Sequence, residues 1–250
     1  MTIRKQAVRA AGAVMLGTLL ASGPVHAIKI DVAEDVMTSS FFQGANAVRG
    51  YAGDNRPVFR VSTGNPFGTV GAETIYLAFD YDFSTFSGPV SAILTVQSTS
   101  GGFGADASAG NPFTVSAHGV AANPFTAITD DTNPGGSVSW LNFFNQSILP
   151  ADVAARSVVS GSGAVTFDVS AIVGDWISGS NAVHVLALTG VNDTSGNEFL
   201  HGFLNNTEAP GSAFLTVSAV PEPETHAMLL AGLGLLGLAR RRQRAAEAAP

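Results

Sequence analysis

Short runs in the central part of the chain alternate apolar and polar residues, as half-buried strands do. The clearest run is residues 73–83, in which Ile75 and Leu77 fall on one face and Thr74 and Tyr76 on the other. A period of two is the spacing of side chains on the two faces of a strand. The same pattern predicts strands at residues 90–98, 113–120, 164–170, 182–190, 198–204 and 212–220.

Clusters of Gly, Pro, Asn, Ser and Asp separate these runs and indicate turns. One segment, residues 170–179, instead has helical spacing, with Ser170 as the expected cap and Gly179 as the expected stop. Its apolar residues would share one side of a helix: Ile172, Val173, Trp176 and Ile177. Many short strands with turn-rich connections predict an all-β fold, an antiparallel β-sandwich that is jelly-roll-like and occupies residues 28–218.

The order of segments in this body carries a resemblance. An acidic "DVAEDVMTS" is followed by "YLAFDYDFSTFSGPVSAILTVQS", then by "VTFDVSAIVGDWISGSNAVHVLAL" and a closing "FLTV". This order resembles the secreted β-sandwich modules called DNRLRE or disaggregatase-related, over most of residues 30–217. Ala78 stands where those modules usually carry arginine, and "SVSWLNFFNQS" matches their tryptophan segment only loosely. The resemblance implies a secreted module, either structural or able to bind acidic polysaccharides.

Charge is distributed unevenly along the chain. The net charge is −7, but residues 28–220 hold five cations and 16 carboxylates, a net charge of −11. A body this acidic repels a phosphate backbone, so nucleic acid is excluded as a partner. The chain contains no cysteine, which fits an exported protein that avoids oxidative mispairing.

The N-terminal 27 residues have the composition of a secretory signal peptide. Arg4, Lys5 and Arg9 precede the apolar stretch "AAGAVMLGTLLASG", and "VHA" follows with residues that suit a cleavage site. We therefore predict export through the Sec pathway with cleavage after Ala27. The alternatives are an uncleaved membrane anchor or a buried helix.

The C-terminal segment, residues 219–244, has three parts in order. Val220, Pro221, Glu222 and Pro223 come first, and an uncharged run of 13 residues, 227–239, follows. As a helix this run is about 20 Å long, short of the roughly 30 Å hydrocarbon core of a membrane. We predict a short transmembrane helix built on Ala227, Leu229, Leu230, Gly232, Leu233, Leu235, Leu236 and Leu238. The basic stop is formed by Arg240, Arg241 and Arg242, and residues 245–250 would be a cytoplasmic tail.

These three parts in this order closely resemble the PEP-CTERM sorting signal of Gram-negative bacteria. The resemblance implies recognition by an exosortase, a membrane transpeptidase-like cysteine enzyme, and cleavage close to the Pro-Glu-Pro triplet. The cytoplasmic membrane would be a transient partner that holds the precursor. It also implies a destination in the cell envelope or extracellular matrix, with exopolysaccharide as a further partner.

Aromatic side chains offer one candidate binding site, because ring faces attract the C–H faces of sugars. The candidates for glycan contact are Trp140, Phe143 and Phe144, in "SWLNFFNQS". The alternative is that they are packing residues, which is the role expected for Trp176.

Carboxylates suggest a calcium site or a glycosidase pair. Asp80 and Asp82 would share a strand face, and others lie in turn-rich segments: Asp130, Asp131, Asp193 and Glu198. Oxygen ligands suit Ca²⁺, but no segment has the spacing of a calcium loop, so solvated turn residues are favoured and a structural calcium is the alternative. A glycosidase needs two carboxylates across a bond, and no glycosidase signature accompanies these.

The histidines outside the signal peptide lack metal-ligand spacing: His118, His184, His201 and His226. His118 and His184 fall in predicted strands, where we expect them to make local hydrogen bonds. No nucleophile elbow, P-loop or dinucleotide fingerprint is present. The sequence therefore predicts no metal, no cofactor and no catalytic residue.

These observations favour a non-enzymatic, exported protein of the cell surface or extracellular matrix, which an exosortase sorts. Two alternatives stay open: a carbohydrate-binding module for an acidic or neutral polysaccharide, and a polysaccharide-degrading enzyme.

Overall fold

A computed structural model describes residues 27–39, 58–62, 73–102, 104, 106–127, 148–190, 199–206, 209–220 and 223–247. The chain divides into two compact units, and each is described by itself. One unit is Ala27–Ser218. The other comprises Met1–His26 and Ala219–Pro250, of which residues 219–220 and 223–247 are described.

The described part of the first unit is built almost entirely from strands. Its one α-helix is α1 (Ser170–Ser178), and short 3₁₀ turns occupy Phe83–Thr85 and Pro124–Ala127. The second unit contributes α2 (Pro223–Glu247). The strands are β1 (Ile28–Asp31), β2 (Glu34–Ser39), β3 (Val58–Ser62), β4 (Glu73–Ala78), β5 (Val90–Thr99), β6 (Phe113–Val120), β7 (Ile148–Val159), β8 (Gly163–Asp168), β9 (Val185–Gly190), β10 (Leu200–Leu204) and β11 (Ala213–Ala219).

The strands form two sheets. One has the order β1-β11-β5-β10-β3, with β8 also paired to β5, and the other has the order β2-β4-β9-β6-β7. The described registers between neighbouring strands are antiparallel. From β3 to β10, four strands in each sheet follow the eight-strand arrangement of a jelly roll, because the chain crosses repeatedly between the sheets. The predicted antiparallel sandwich is confirmed.

Alternation along β5 shows how the sequence builds the core. Ala92, Leu94 and Val96 are buried, while the residues between them are half-buried on the other face. β5 pairs with β8 from Ile93 to Ser98, so these side chains lie in the middle of their sheet. Burial of one leucine side chain contributes roughly 1.5–3 kcal/mol. The strands predicted at residues 90–98 and 113–120 are confirmed as β5 and β6.

The strand predicted at residues 73–83 is wrong in length and in burial. β4 ends at Ala78, and Thr74 and Tyr76 are as buried as their neighbours on the other face. The reason is that β4 lies between β2 and β9, and a second apolar cluster covers its outer face. The cluster consists of Val36, Tyr76, Val120, Phe125, Val185 and Ala187.

Helix α1 buries the predicted side of the segment, with Ile172, Val173 and Trp176 in the core. Gly179 ends it with φ 75°, a left-handed conformation that glycine adopts without strain. The expected cap, Ser170, is wrong, since Ser170 is the first helical residue. Its backbone N–H and its hydroxyl donate to the Asp168 carboxylate at 3.1 and 2.5 Å.

Candidate functional site

The sorting segment begins where the sandwich ends. β11 ends at Ala219, Val220 is 44% exposed, and α2 begins at Pro223. Pro221 and Glu222 lie outside the described residues. At the other end, Ala27, the predicted signal cleavage residue, is exposed, and residues 1–26 lie outside the part that the structure describes.

Helix α2 exposes its apolar side chains. The leucines of the predicted membrane helix are between 46% and 69% exposed: Leu229, Leu230, Leu233, Leu235, Leu236 and Leu238. Gly232 is half-buried, and only the backbone of Ala227 is described. Exposed apolar side chains of this kind suit a lipid environment rather than water. The prediction of a helix is confirmed.

Within the described residues, no helix combines the length and the apolar character that crossing a membrane requires.

Cations follow the apolar part of α2. Arg240 and Arg241 are exposed and precede the last turn, which contains Arg244, while only the backbone of Arg242 is described. Arg244 lies in the last turn, where a cation interacts favourably with the helix dipole. The position also suits arginines that extend to a lipid headgroup region.

The predicted glycan contacts Trp140, Phe143 and Phe144 all lie within residues 128–147, outside the described residues. Trp176 is 3% exposed and belongs to the core, as expected. The indole N–H of Trp176 is buried and has no hydrogen-bond partner among the described residues.

An aromatic cluster packs around Phe83, which follows β4. The Phe83 ring lies edge-on to Trp176, His184 and Tyr81, with ring centroids 5.0, 4.8 and 5.3 Å away. Edge-to-face pairs of this kind each contribute about 0.5–1.5 kcal/mol beyond their burial. We call this group the Phe83 cluster: Phe79, Tyr81, Phe83, Phe86, Trp176 and His184. Phe83 is fully buried, whereas Tyr81 and Phe86 reach the surface.

Asp82 stabilises the turn beneath this cluster. Its carboxylate accepts hydrogen bonds from the hydroxyl and the backbone N–H of Ser84, at 2.6 and 3.0 Å, and these bonds lower the pKa of Asp82. Burial lowers the pKa of His184, and the Asp82 charge opposes that shift. Because β4 ends at Ala78, Asp80 and Asp82 do not share a strand face, and that prediction is wrong.

The carboxylates that the structure describes do not gather into a site for a cation. Among the described residues, no group of three or more His, Asp or Glu side chains is placed to hold a metal ion. Asp130, Asp131, Asp193 and Glu198 lie outside the described residues.

A buried serine on β5 and a buried histidine on β10 lie beside the half-buried Asp106. His201 is 1% exposed, and its Nε2 lies 2.6 Å from the Ser98 hydroxyl. Its Nδ1 lies 3.4 Å from the nearer oxygen of Asp106. The sequence analysis missed this group because its members are distant in sequence and form no local motif.

The direction of the hydrogen bonds distinguishes this group from a catalytic triad. The Ala107 N–H donates to His201 Nδ1 at 3.1 Å, so Nε2 carries the proton and donates to Ser98. The Ser98 hydroxyl in turn donates to the Gly161 carbonyl at 2.7 Å. A triad needs the opposite direction, in which the serine donates to histidine. The arrangement therefore ties β5, β10 and the β7–β8 turn together.

Burial keeps this histidine neutral. Desolvation lowers the pKa of His201, and the charge of Asp106 opposes the shift. Asp106 is itself held by the Gly101 N–H at 2.6 Å and by the Ser100 hydroxyl at 2.5 Å.

The other histidines divide between hydrogen bonding and packing. His118 lies in β6 and its Nε2 is 2.8 Å from the Thr189 hydroxyl, so its predicted local hydrogen bond is confirmed. His184 precedes β9 rather than lying in it, and its imidazole packs on rings of the Phe83 cluster. The His184 carbonyl accepts a hydrogen bond from the Phe79 N–H at 3.0 Å, and a hydrogen bond of its imidazole stays a prediction. Of His226 only the helical backbone is described.

A third polar group joins the two ends of the sandwich sequence. The Asn206 amide donates to the Val32 carbonyl at 2.9 Å and accepts from the Gly211 N–H at 2.8 Å. Its backbone N–H donates to the buried Asp35 carboxylate at 2.5 Å. These bonds fix the β1–β2 connection against the β10–β11 connection.

Comparison with known families identifies the C-terminal segment. The family model of the PEP-CTERM protein-sorting motif matches residues 219–243. The predicted sorting signal is confirmed, and the chain is an exported surface protein whose membrane-anchored precursor is processed by an exosortase. A search of curated proteins found no match. The resemblance of the body to DNRLRE modules stays a prediction.

Proposed function

We propose that the chain is a non-enzymatic protein of the extracellular matrix, which an exosortase sorts and which associates there with exopolysaccharide. The observation that carries the proposal is the sorting motif at residues 219–243, directly after the last strand of a folded sandwich. Cleavage near Pro221 and Pro223 would remove α2 and its exposed leucines. The sandwich would then reach the surface with its apolar residues in its own core.

The two ends of the chain would act in sequence. The signal peptide directs export and is cleaved after Ala27. Helix α2 then holds the precursor at the membrane, and the basic residues from Arg240 to Arg242 keep the C-terminus on the cytoplasmic side. The exosortase acts on the exported side, where the Pro-Glu-Pro triplet lies.

Polar groups of the sandwich support a structural rather than a catalytic role. Ser98 and His201 are buried and hydrogen-bonded in a direction that satisfies backbone groups. The Asp82 carboxylate is engaged by Ser84, and Asn206 bonds backbone atoms of two connections.

Co-sedimentation tests this proposal. The mature protein, isolated from exosortase-producing cells, is mixed with exopolysaccharide from the same cells, and polysaccharide length is measured before and after. We expect the protein to sediment with the polymer and the polymer length to stay constant. Loss of polymer length would identify a polysaccharide-degrading enzyme, and a protein that stays in the supernatant would contradict matrix association.

A second candidate function, carbohydrate binding, is supported by the surface side of the Phe83 cluster. Tyr81 and Phe86 are half-buried aromatic residues beside the exposed Asp80 and Asp82, which is the combination of ring face and hydrogen-bond acceptor that a sugar uses. A glycan array probed with the mature protein and with Phe86→Ala tests this candidate. Binding that the substitution weakens supports it, and no binding to any glycan favours the structural role.

A further inference from the structure

The first and last strands of the sandwich are neighbours. β1 pairs antiparallel with β11, with Ile28 opposite Val217 and Asp31 opposite Phe214. β1 begins at Ile28, which is the first residue after the predicted signal cleavage. The N-terminus that export creates therefore lies beside the stretch of chain that leads into the sorting motif.

β11 belongs to the core almost to its end. It lies between β1 and β5, and Leu215 and Val217 are fully buried. Exposure begins at Ala219 and Val220, immediately before the Pro-Glu-Pro triplet. Ala219 is still a residue of β11, so Val220 is the one residue between the end of the strand and the triplet.

Enzymes that act on peptide bonds hold their substrate in an extended conformation, and pairing with an added strand is a common way to do so. A cleft that binds several residues before the cleaved bond would need the end of β11, which the sandwich holds in its ladder. Edge elements of a fold open at lower free energy than the whole fold.

We propose that exosortase processing requires the end of β11 to separate locally from β1, so that β1 acts as a latch that sets the processing rate. The inference deepens the proposed function, of which processing by an exosortase is a part. It adds that part of the enzyme's substrate is a strand of the folded domain.

The contacts of β1 show which interactions keep this latch paired with β11. Ile30 is buried in the core on the inner side. On the outer side, Lys29 Nζ lies 4.5 Å from the centroid of the Phe214 ring and 2.7 Å from the Asp31 carboxylate. A cation over a ring contributes about 0.5–1 kcal/mol at an exposed site, and an exposed ion pair less than about 1 kcal/mol. The outer side-chain contacts of β1 are therefore weak, and β1 is held mainly by the burial of Ile30 and by its ladder with β11.

The register between β1 and β11 shows where a disulfide can hold the two strands together. The Val32 N–H donates to the Ala213 carbonyl, and hydrogen-bonded pairs alternate with non-bonded pairs along a ladder. Lys29 and Thr216 are consequently a non-bonded pair, whose Cα atoms are about 4.5 Å apart, within the range of a disulfide. Because the chain has no cysteine, Lys29→Cys with Thr216→Cys creates a single, defined crosslink.

The experiment follows processing of the full chain in exosortase-producing cells, by intact mass over time. We expect the oxidised double variant to be processed at least about tenfold more slowly than the parent, equivalent to about 1.4 kcal/mol. Reduction should restore the parent rate. Lys29→Cys alone is the control for lost contacts of the lysine.

An insertion variant distinguishes slow processing caused by the locked β1–β11 pair from slow processing caused by misfolding. Six Gly and Ser residues inserted after Ala219 supply free extended chain before the motif, so the locked variant should then be processed at the parent rate. The same insertion after Gly110, in an exposed turn, should not rescue it.

Two results would overturn the inference: a locked chain processed at the parent rate, or a slow locked chain that neither reduction nor the insertion after Ala219 rescues. A parent chain that shows no exosortase-dependent processing would overturn the proposed function, and the inference with it.

Discussion

Apolar residues are buried in the sandwich but exposed in helix α2 of the sorting segment. In β5, Leu94 and Val96 are buried by the chain's own second sheet. In α2, Leu230 and Leu235 are each more than two thirds exposed. The apolar residues of the sandwich stabilise a fold, whereas those of α2 need a partner outside the chain. Changes in the two regions should therefore have separable effects, on stability in one and on location in the other.

The largest expected effect concerns location. Replacement of both prolines of the motif, Pro221→Ala with Pro223→Ala, should abolish processing and leave the precursor in the membrane fraction, because the enzyme loses its recognition motif. The melting temperature of the sandwich should not change. Pro112→Ala, at an exposed position in the sandwich, is the matched control and should be processed normally. A processed double variant would contradict the assignment of the motif.

The next effect concerns stability. Phe113 is fully buried and stacks on Phe199 with ring centroids 4.8 Å apart, so Phe113→Ala should lower the free energy of unfolding by about 3–5 kcal/mol. Leu235→Ala in α2 removes an exposed side chain and should change it by less than about 0.5 kcal/mol. Urea unfolding of the full chain measures both. Equal losses of unfolding free energy in the two variants would contradict the claim that apolar residues stabilise the sandwich but not α2.

A smaller effect is expected at the buried histidine. Ser98→Ala removes the acceptor of His201 Nε2–H and the donor to the Gly161 carbonyl, which should cost about 1–3 kcal/mol. Ser162→Ala, at an exposed position of the neighbouring turn, should be near neutral in the same unfolding experiment. A neutral Ser98→Ala variant would show that the hydrogen bonds of Ser98 with His201 and Gly161 do not stabilise the sandwich.

The smallest effect is a dependence of stability on pH. Burial lowers the pKa of His201, so below about pH 6.5 the unfolded chain binds a proton that the folded chain does not. The free energy of unfolding should therefore fall as the pH drops from about 6.5 towards the folded pKa, by at most about 1.4 kcal/mol per pH unit.

The facing carboxylate of Asp106 opposes this loss, because protonated His201 could donate from Nδ1 to it in place of accepting from Ala107. Urea unfolding between pH 7.5 and pH 5 measures the slope. His201→Gln should reduce it, and an unchanged slope in that variant would assign the pH dependence to other groups.

Local patterns predicted the fold well where one face of a strand is buried. β5, β8 and β11 alternate as expected, because each has one side towards the core. β4 was predicted wrongly, since its second face is covered by residues from distant segments, among them Val36 and Phe125, which no local pattern reveals.

The functional residues also divide into those that a local sequence pattern reveals and those that it does not. The sorting motif is contiguous and was predicted in full, whereas the Ser98, Asp106 and His201 group depends on the pairing of β10 with β5. β3 and β7 were not predicted as strands. β7 pairs with β6 through register shifts on both sides of His118, and such irregularity breaks a simple period of two.

The most direct test of the account is the intact mass and location of the protein in cells with and without the exosortase. With the enzyme, we predict a surface-associated chain that begins at Ile28 and ends near the Pro-Glu-Pro triplet, without α2. Without it, we predict a chain from Ile28 to Pro250 in the membrane fraction. The same mass and the same location in both kinds of cell would contradict the account.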